Sequence, residues 1–410
     1  MQLFDFTLTL PLLLWALLGL ALLATVALGL WRRSQARRLE RWQQGHLPPA
    51  AHQEPEGDEP DEPEDTVWPG VSVVVYTRAD EIGWLDDHLP LLLEQDYADF
   101  DIIVVADGCN DQERDQLSQM LPQSGKLRVC FLPDGTRALS RRKLSLMLGI
   151  KASSKPVVLI TNARCRPASA QWLRCMMRHF ATNPEVNLVL GYSHPHWHAD
   201  KRAGRRYRAL DHITVSAQWL LSAIKGRPYR GTACNMAFTR ELFFSHKGYA
   251  ASMDLNWGDD DVWVSEVATA AGTSLELSPE SHVVVCSHDA KLMHSEDKLR
   301  RDFTSQFVAT QAPMRAEAVA SAANYARLAA LIAVVAIGWQ FVVADVLALL
   351  LLVAGWPLSI NPCRRAAQVL GCPKLGASVP WLRLWRPLVN VRYRLRGMRF
   401  KQNNYTSIYD

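Results

Sequence analysis

Twenty-six consecutive residues, Phe6–Trp31, carry no charge. At 1.5 Å per residue a helix of that length crosses the roughly 30 Å of hydrocarbon in a bilayer, so this end of the chain reads as a membrane anchor. The run has no basic segment before it and exceeds the apolar core of a secretion signal, which predicts an uncleaved anchor over 1–31. Arg32, Arg33, Arg37, Arg38 and Arg41 follow at once, while only Asp5 precedes it. Because basic flanks stay on the cytoplasmic side, everything after Trp31 is expected inside.

A second apolar stretch, Leu328–Ile360, has 33 residues with Asp345 among them. As one helix it would measure roughly 50 Å, too long for an ordinary span. Beyond Ile360 ten Lys or Arg stand against one acid, Asp410. Two spans return that basic segment to the cytoplasm, so the pattern predicts a hairpin within 321–360, with arms Ser321–Val343 and Val346–Ile360 turning near Asp345. Lys298–Ala318, in the range 296–320, reads as an interfacial helix, and 361–410 as a basic amphipathic tail in which Trp381, Trp385 and Leu388 alternate with arginines.

Residues 32–69 begin basic and then turn acidic and proline-bearing, with no basic residue from Glu54 to Asp65, the composition of a disordered linker. From Val71 short apolar runs alternate with helical spacing. Strands are expected at Val71–Tyr76, Ile102–Ala106, Leu127–Phe131, Val157–Thr161 and Val186–Tyr192, and helices at Ile82–Leu93, Gln112–Leu121, Leu139–Lys151 and Ala168–Phe180. This rhythm predicts an α/β domain over 70–295 with a mostly parallel sheet covered on both faces. The formal net charge of +4 gathers beside the apolar ends, which excludes a nucleic-acid binder. Eight cysteines without a CxxC pair fit neither a zinc site nor a disulfide framework, and suit a reducing compartment.

Ligands bind such sheets at the carboxyl ends of their strands. At one of those ends, Asn162-Ala163-Arg164-Cys165-Arg166-Pro167 resembles the Asp-Ala-Asp-Cys-Arg-Pro type segment of membrane-bound bacterial family 2 glycosyltransferases. The resemblance implies a Rossmann-like GT-A fold and a nucleotide-sugar donor, UDP-linked. It also implies a divalent metal on the diphosphate, but both metal-binding carboxylates are replaced, by Asn162 and Arg164. No metal is therefore expected, unless another carboxylate recruits Mg²⁺ or Mn²⁺.

Other segments carry the same resemblance. Val71–Val75 with Arg78-Ala79-Asp80 is similar to the family's first strand and Asn-Glu turn, and Ile103–Asp111 to its Val-Asp-Asp-Gly-Ser-x-Asp, which places Asp80 and Asp107 on the donor. Asp107-Gly108 is also an ordinary turn pair. Lys143 of Arg141-Arg142-Lys143 stands where the family has a lysine, suited to phosphate, although a solvated helix start has the same composition. Lys225–Phe238 resembles the family's Gly-x-Pro-Tyr-x-Gly-x-Gly-Arg-Asn stretch; its Gly231 suits close approach to a ligand and, with Trp257, is assigned to the acceptor. Gly258-Asp259-Asp260-Asp261 resembles the Gly-Glu/Asp-Asp motif whose Asp deprotonates the acceptor, Asp260 first and Asp259 second. The competing reading is a helix N-terminus stabilised by acids. Arg300 or Arg301 is a candidate for the diphosphate. His194, His196 and His198 read as a loop around Pro195, not a metal site.

Two functions follow from the resemblance. One is an inverting inner-membrane glycosyltransferase, multi-pass, with its catalytic domain cytoplasmic, acting on a lipid-linked or polysaccharide acceptor of the cell envelope. The other is a catalytically inactive relative serving as a nucleotide-binding or scaffold partner in envelope glycan assembly.

Overall fold

The computed structural model describes residues 2–45, 67–119, 125–133, 139–201 and 203–399. Most of the expected disordered linker, 46–66, and the last residues of the tail, 400–410, lie outside the described residues. In chain order the elements are α1 (Gln2–Gly45), β1 (Val71–Arg78), α2 (Ile82–Leu93), β2 (Phe100–Asp107), α3 (Asp111–Gln119), β3 (Leu127–Leu132), α4 (Arg141–Ala152), β4 (Val157–Asn162), β5 (Cys165–Pro167) and α5 (Trp172–Thr182). They continue with β6 (Leu188–Leu190), β7 (Ser193–Pro195), α6 (Arg205–Ile224), β8 (Met236–Thr239), α7 (Arg240–Ser245), α8 (Val262–Val267), β9 (Thr273–Leu275), β10 (Val283–Val285), α9 (Ala290–Thr304), α10 (Ala312–Ile337), α11 (Val342–Val369) and α12 (Val379–Arg399).

The chain forms two compact units. The α/β unit comprises Trp42–Arg202, Ser222–Thr310 and Tyr393–Asp410. Its main sheet, seven-stranded among the described residues, has the order β3-β2-β1-β4-β8-β6-β9. β3, β2, β1 and β4 are parallel, β8 opposes both β4 and β6, and β9 runs with β6. One strand therefore runs against the other six. Every residue of β4 and all of β1 but Arg78 are buried, as strands covered on both faces must be. The order reverses between β1 and β4, and there Tyr76 pairs in register with Asn162, while Arg78 pairs with Asp107 of β2. A crevice at the carboxyl ends of β1, β2 and β4 is the ligand position this topology favours. A second sheet, β5-β10-β7, sets β10 antiparallel to β5.

The helical unit comprises Met1–Arg41, Ala203–Leu221 and Gln311–Arg392. Ala203–Leu221 thus leaves the range 70–295 read as one domain, because Asp211 on α6 is fully buried against Arg386 of α12 at 2.9 Å. Leu14, Leu18 and Ala21 of α1 pack on Ala330, Leu331 and Val334 of α10 and on Ala344 and Ala348 of α11. By length and composition, helices in Leu12–Gly45, Ala312–Ile337 and Val342–Val369 are apolar enough to cross a membrane.

Several boundaries differ from expectation, beginning with α1, which continues through Gly45 into the residues read as linker. The hairpin turns at Gly338–Phe341, and Asp345 sits in the first turn of α11, where an acid complements the helix dipole. α11 also extends to Val369, so the second arm is not short. The single interfacial helix expected over Lys298–Ala318 is broken: α9 ends at Thr304, and α10 begins at Ala312 with Pro313 in its first turn, where proline is well suited.

Candidate active site

The acidic triplet before α8 divides into three environments. Gly258 adopts φ +105°, a conformation L side chains rarely take, and turns the chain so that Asp259, Asp260 and Asp261 all point inward, each at most 3% exposed. Asp261 is the helix cap: one oxygen accepts from the Val262 N–H at 2.8 Å, the other from the Thr304 hydroxyl. Asp259 accepts from Arg142 Nε at 2.8 Å. Burial pushes Asp259 up, yet Arg142 and Arg300 outweigh it and hold the carboxyl below its usual range.

Asp260 differs from both neighbours. Its Oδ2 accepts from Arg300 Nη1 at 3.0 Å, and its Oδ1, equally buried, has no hydrogen-bond partner among the described residues. Burial pushes Asp260 up to about 6; Arg300 opposes the rise, while Asp261 and Asp259 add to it. A carboxylate with a spare lone pair and a pKa near neutrality has the chemistry of a general base. Arg300 is held in turn by Asp297 at 2.9 Å, on which Arg301 also converges at 3.1 Å. Both arginines, candidates for a diphosphate in the sequence, are thus engaged with acids.

The basic triplet at the start of α4 separates just as sharply. Arg141 donates twice to one oxygen of Asp107, at 2.8 and 2.5 Å, so the carboxylate expected to receive a ribose or base is held by a guanidinium. Arg142 takes Asp259 and lies over the Tyr76 ring at 5.3 Å. Lys143, the residue assigned to phosphate, is fully buried and donates to the Ser252 carbonyl and hydroxyl. Its ammonium is therefore part of the core beneath Gly258–Asp261, and Arg142 is the cation of the triplet that reaches the acids.

At the end of β4, Asn162 is buried, its Oδ1 accepting from the Arg164 N–H at 3.0 Å and the Cys165 thiol at 3.1 Å. Its Nδ2 lies 3.4 Å from Cys234 Sγ. The neighbouring Cys165 thiol and, against burial, the charges of Arg142, Arg164 and Arg300 lower Cys234 to about 7. One sulfur thus lies in the field of all three arginines, which ties β4, α4 and α9 to a single locus. The Arg164 side chain, 32% exposed, pairs with Glu81 at 3.1 Å. Asp80, assigned to the donor, makes an exposed pair with Arg78 at 3.2 Å.

The two residues assigned to the acceptor are placed differently. Gly231 donates its N–H to the Asp260 carbonyl, and a Cβ there would lie 3.0 Å from the Leu190 side chain and 3.1 Å from the Met236 sulfur, so the packing around it is tight. Trp257 sets its ring against Phe303 at 5.9 Å, and Phe303 meets Phe307 at 5.4 Å, an aromatic row beside the acids. His194, expected in a loop, lies in the short strand β7.

No family model matches the chain, and no curated protein matches it. Among solved structures, the mannosyltransferase PcManGT from Pyrobaculum calidifontis, in complex with GDP-Man and Mn²⁺, is similar over 87% of this chain and 98% of its own, with 16% identity and a TM-score of 0.51. At that identity the likeness is one of fold. This chain has a mixed α/β, glycosyltransferase-like fold.

The residues at the strand ends do not fit a divalent ion. Hard cations need several free oxygen ligands. Here Asn162 Oδ1 already accepts twice, Arg164 brings a positive charge, and the two carboxylates able to substitute, Asp107 and Asp259, are each bound by an arginine. Among the described residues, no three His, Cys, Asp or Glu side chains gather as a metal site.

Proposed function

We propose that this chain is an inverting glycosyltransferase of GT-A type and family 2 kind, anchored in a bacterial inner membrane with its α/β unit cytoplasmic. It moves a sugar from a nucleoside diphosphate, UDP in the first instance, to a lipid-linked or polysaccharide acceptor of the cell envelope. The observation that carries this reading is Asp260, buried with one oxygen free and raised to about 6, on a glycosyltransferase-like fold. Asp260 takes the proton of an acceptor hydroxyl as that oxygen bonds to the anomeric carbon, and the bond from that carbon to the diphosphate breaks on the opposite face. Arg164, just beyond β4 and partly open to solvent, is assigned to the departing phosphates, for which it would exchange its pair with Glu81, since a guanidinium binds phosphate oxygens bidentately.

The inactive, nucleotide-binding or scaffolding reading draws on one observation: Asp107 and Asp259 are each held by an arginine. Calorimetric titration of UDP- and GDP-sugars into the full chain in detergent, with EDTA and with Mn²⁺, followed by an assay of sugar transfer from the donor that binds, separates the two: binding without transfer is the inactive reading. The expected outcome is saturable binding of one donor in EDTA, weakened about tenfold in Arg164→Ala, the loss of one charge-assisted contact of roughly 1.4 kcal/mol. Binding only with Mn²⁺ overturns the role of Arg164, and no binding of any donor leaves the inactive reading standing.

A further inference from the structure

The helical unit buries more positive charge than it neutralises. Arg386 of α12 is satisfied, pairing with Asp211 at 2.9 Å and with Glu317 at 3.6 Å. Three other arginines gather in the same unit without a carboxylate of their own. Arg32, at the end of the charge-free run in α1, is 8% exposed; its Nη1 donates to Ser359 of α11 at 3.3 Å, and its Nε has no partner among the described residues. Arg327, in the middle of α10, is 9% exposed; among the described residues it reaches only Asn324 at 3.3 Å, and its Nη1 has no partner there. Arg383 of α12 is half-buried, bonds Cys363 and has no partner for its Nε among the described residues. The charges of Arg383, Arg327 and Glu317 all act on Arg32, so the group is one cluster.

Gly355 of α11 makes room for it. A Cβ there would stand 3.1 Å from Arg327 Nη1, so the absent side chain keeps a guanidinium edge clear. Four arginines against two carboxylates leave two positive charges uncompensated inside a unit of apolar helices. An unpaired buried charge costs several kcal/mol, and ionisable groups among membrane helices mark ligand sites. A phosphomonoester carries about −1.5 to −2 at neutral pH, which matches the surplus, whereas a phosphodiester supplies only half of it.

The depth identifies the carrier. Arg327 lies ten residues before the end of α10 and Gly355 thirteen after the start of α11. Both are therefore roughly 15–20 Å from the turn at 338–341, over half of a 30 Å hydrocarbon layer, and Arg32 directly follows the charge-free stretch that marks its other boundary. Half-buried Arg383 marks the accessible side, flanked on α12 by Trp381 and Trp385, 64% and 50% exposed. We infer that Arg32, Arg327 and Arg383 bind the phosphomonoester headgroup of a membrane lipid, its chain lying along the exposed apolar helices. The site goes beyond sugar transfer and is tested without any sugar donor.

The test uses the full chain in nanodiscs of zwitterionic lipid, with farnesyl phosphate, farnesol, inorganic phosphate and phosphatidylglycerol as probes and the thermal midpoint as readout. Farnesyl phosphate is expected to raise the midpoint saturably, by more than any of the other three. Arg327→Leu is expected to abolish that rise while leaving the ligand-free midpoint equal to or above wild type, because it removes an uncompensated charge. A merely structural arginine would lower it. Should Arg327→Leu fail to fold, Arg32→Gln is expected to cut affinity at least tenfold. An equal rise with farnesol, or an undiminished rise in a folded variant, overturns the site. An equal rise with inorganic phosphate overturns the lipid carrier, and one with phosphatidylglycerol overturns the monoester.

Discussion

Two buried carboxylates of the α/β unit, Glu276 after β9 and Asp260 before α8, are both at most 1% exposed and titrate in opposite directions. Glu276 receives five donors: the Ser278 N–H and hydroxyl at 2.7 and 2.6 Å, the Ser281 hydroxyl at 3.3 Å, His179 Nε2 at 2.8 Å and Arg178 Nη2 at 2.7 Å. Burial pushes it up, but the His179 bond and the Arg178 charge bring it down to about 2. Asp260 has one side-chain donor, and burial wins. Burial alone therefore does not set the proton affinity of an acid; the number of donors aimed at it does. The fully bonded acid holds structure together, and the under-bonded one is free to accept a proton.

The largest expected break in this contrast is Asp260→Asn, which replaces the basic carboxylate with a non-basic amide and should lower transfer about 1,000-fold while the donor dissociation constant stays within twofold, as read by steady-state assay and calorimetry. Glu276→Gln should do the reverse. It is expected to cost roughly 3 kcal/mol of stability at pH 7, seen as a lowered unfolding midpoint, with the activity of the folded fraction unchanged. The sign with pH is fixed by a folded pKa of about 2 below the ordinary 4.5: the stabilisation is full above about pH 4.5 and is lost as pH falls toward 2. The gap between wild type and Glu276→Gln should narrow over that window. The smallest effect belongs to Asp261→Asn, because Asn caps a helix about as well as Asp; a loss under about 1 kcal/mol and transfer within a few-fold of wild type are expected.

The sequence makes most long elements plain and most short ones invisible, the twenty-residue α6 being a long helix with no counterpart among those expected. α2 occupies the residues its apolar spacing marks, Ile82–Leu93, and β1 to β4 lie where apolar runs stand. β6 is the Leu188–Leu190 centre of the strand expected at Val186–Tyr192, whereas β5, β7, β9 and β10, of three residues each, are too short to show a period, and β8 is hidden inside a stretch legible only as a motif. At the site, composition marks the acidic triplet, but the division of labour among its members depends on residues 40 and more positions away, Arg300 for Asp260 and Thr304 for Asp261. Lys143 shows the same limit. Neighbours on a helix point about 100° apart, so Arg142 faces the acids while Lys143 enters the core, and a bare basic triplet does not say which is which. The Glu81–Arg164 pair and the thiols around Asn162 have no local signature at all.

The central claim is that Asp260 accepts the acceptor's proton. It is tested most directly by kcat/KM for transfer measured from pH 4.5 to 8, which reports ionisations of the free enzyme. Because burial raises Asp260 to about 6, the base is protonated below that value, and the expected profile falls about tenfold per unit on the acid side with its break near pH 6. The break should vanish from the residual activity of Asp260→Asn. A wild-type profile flat down to pH 4.5, or a break near pH 6 that persists in Asp260→Asn, would contradict it.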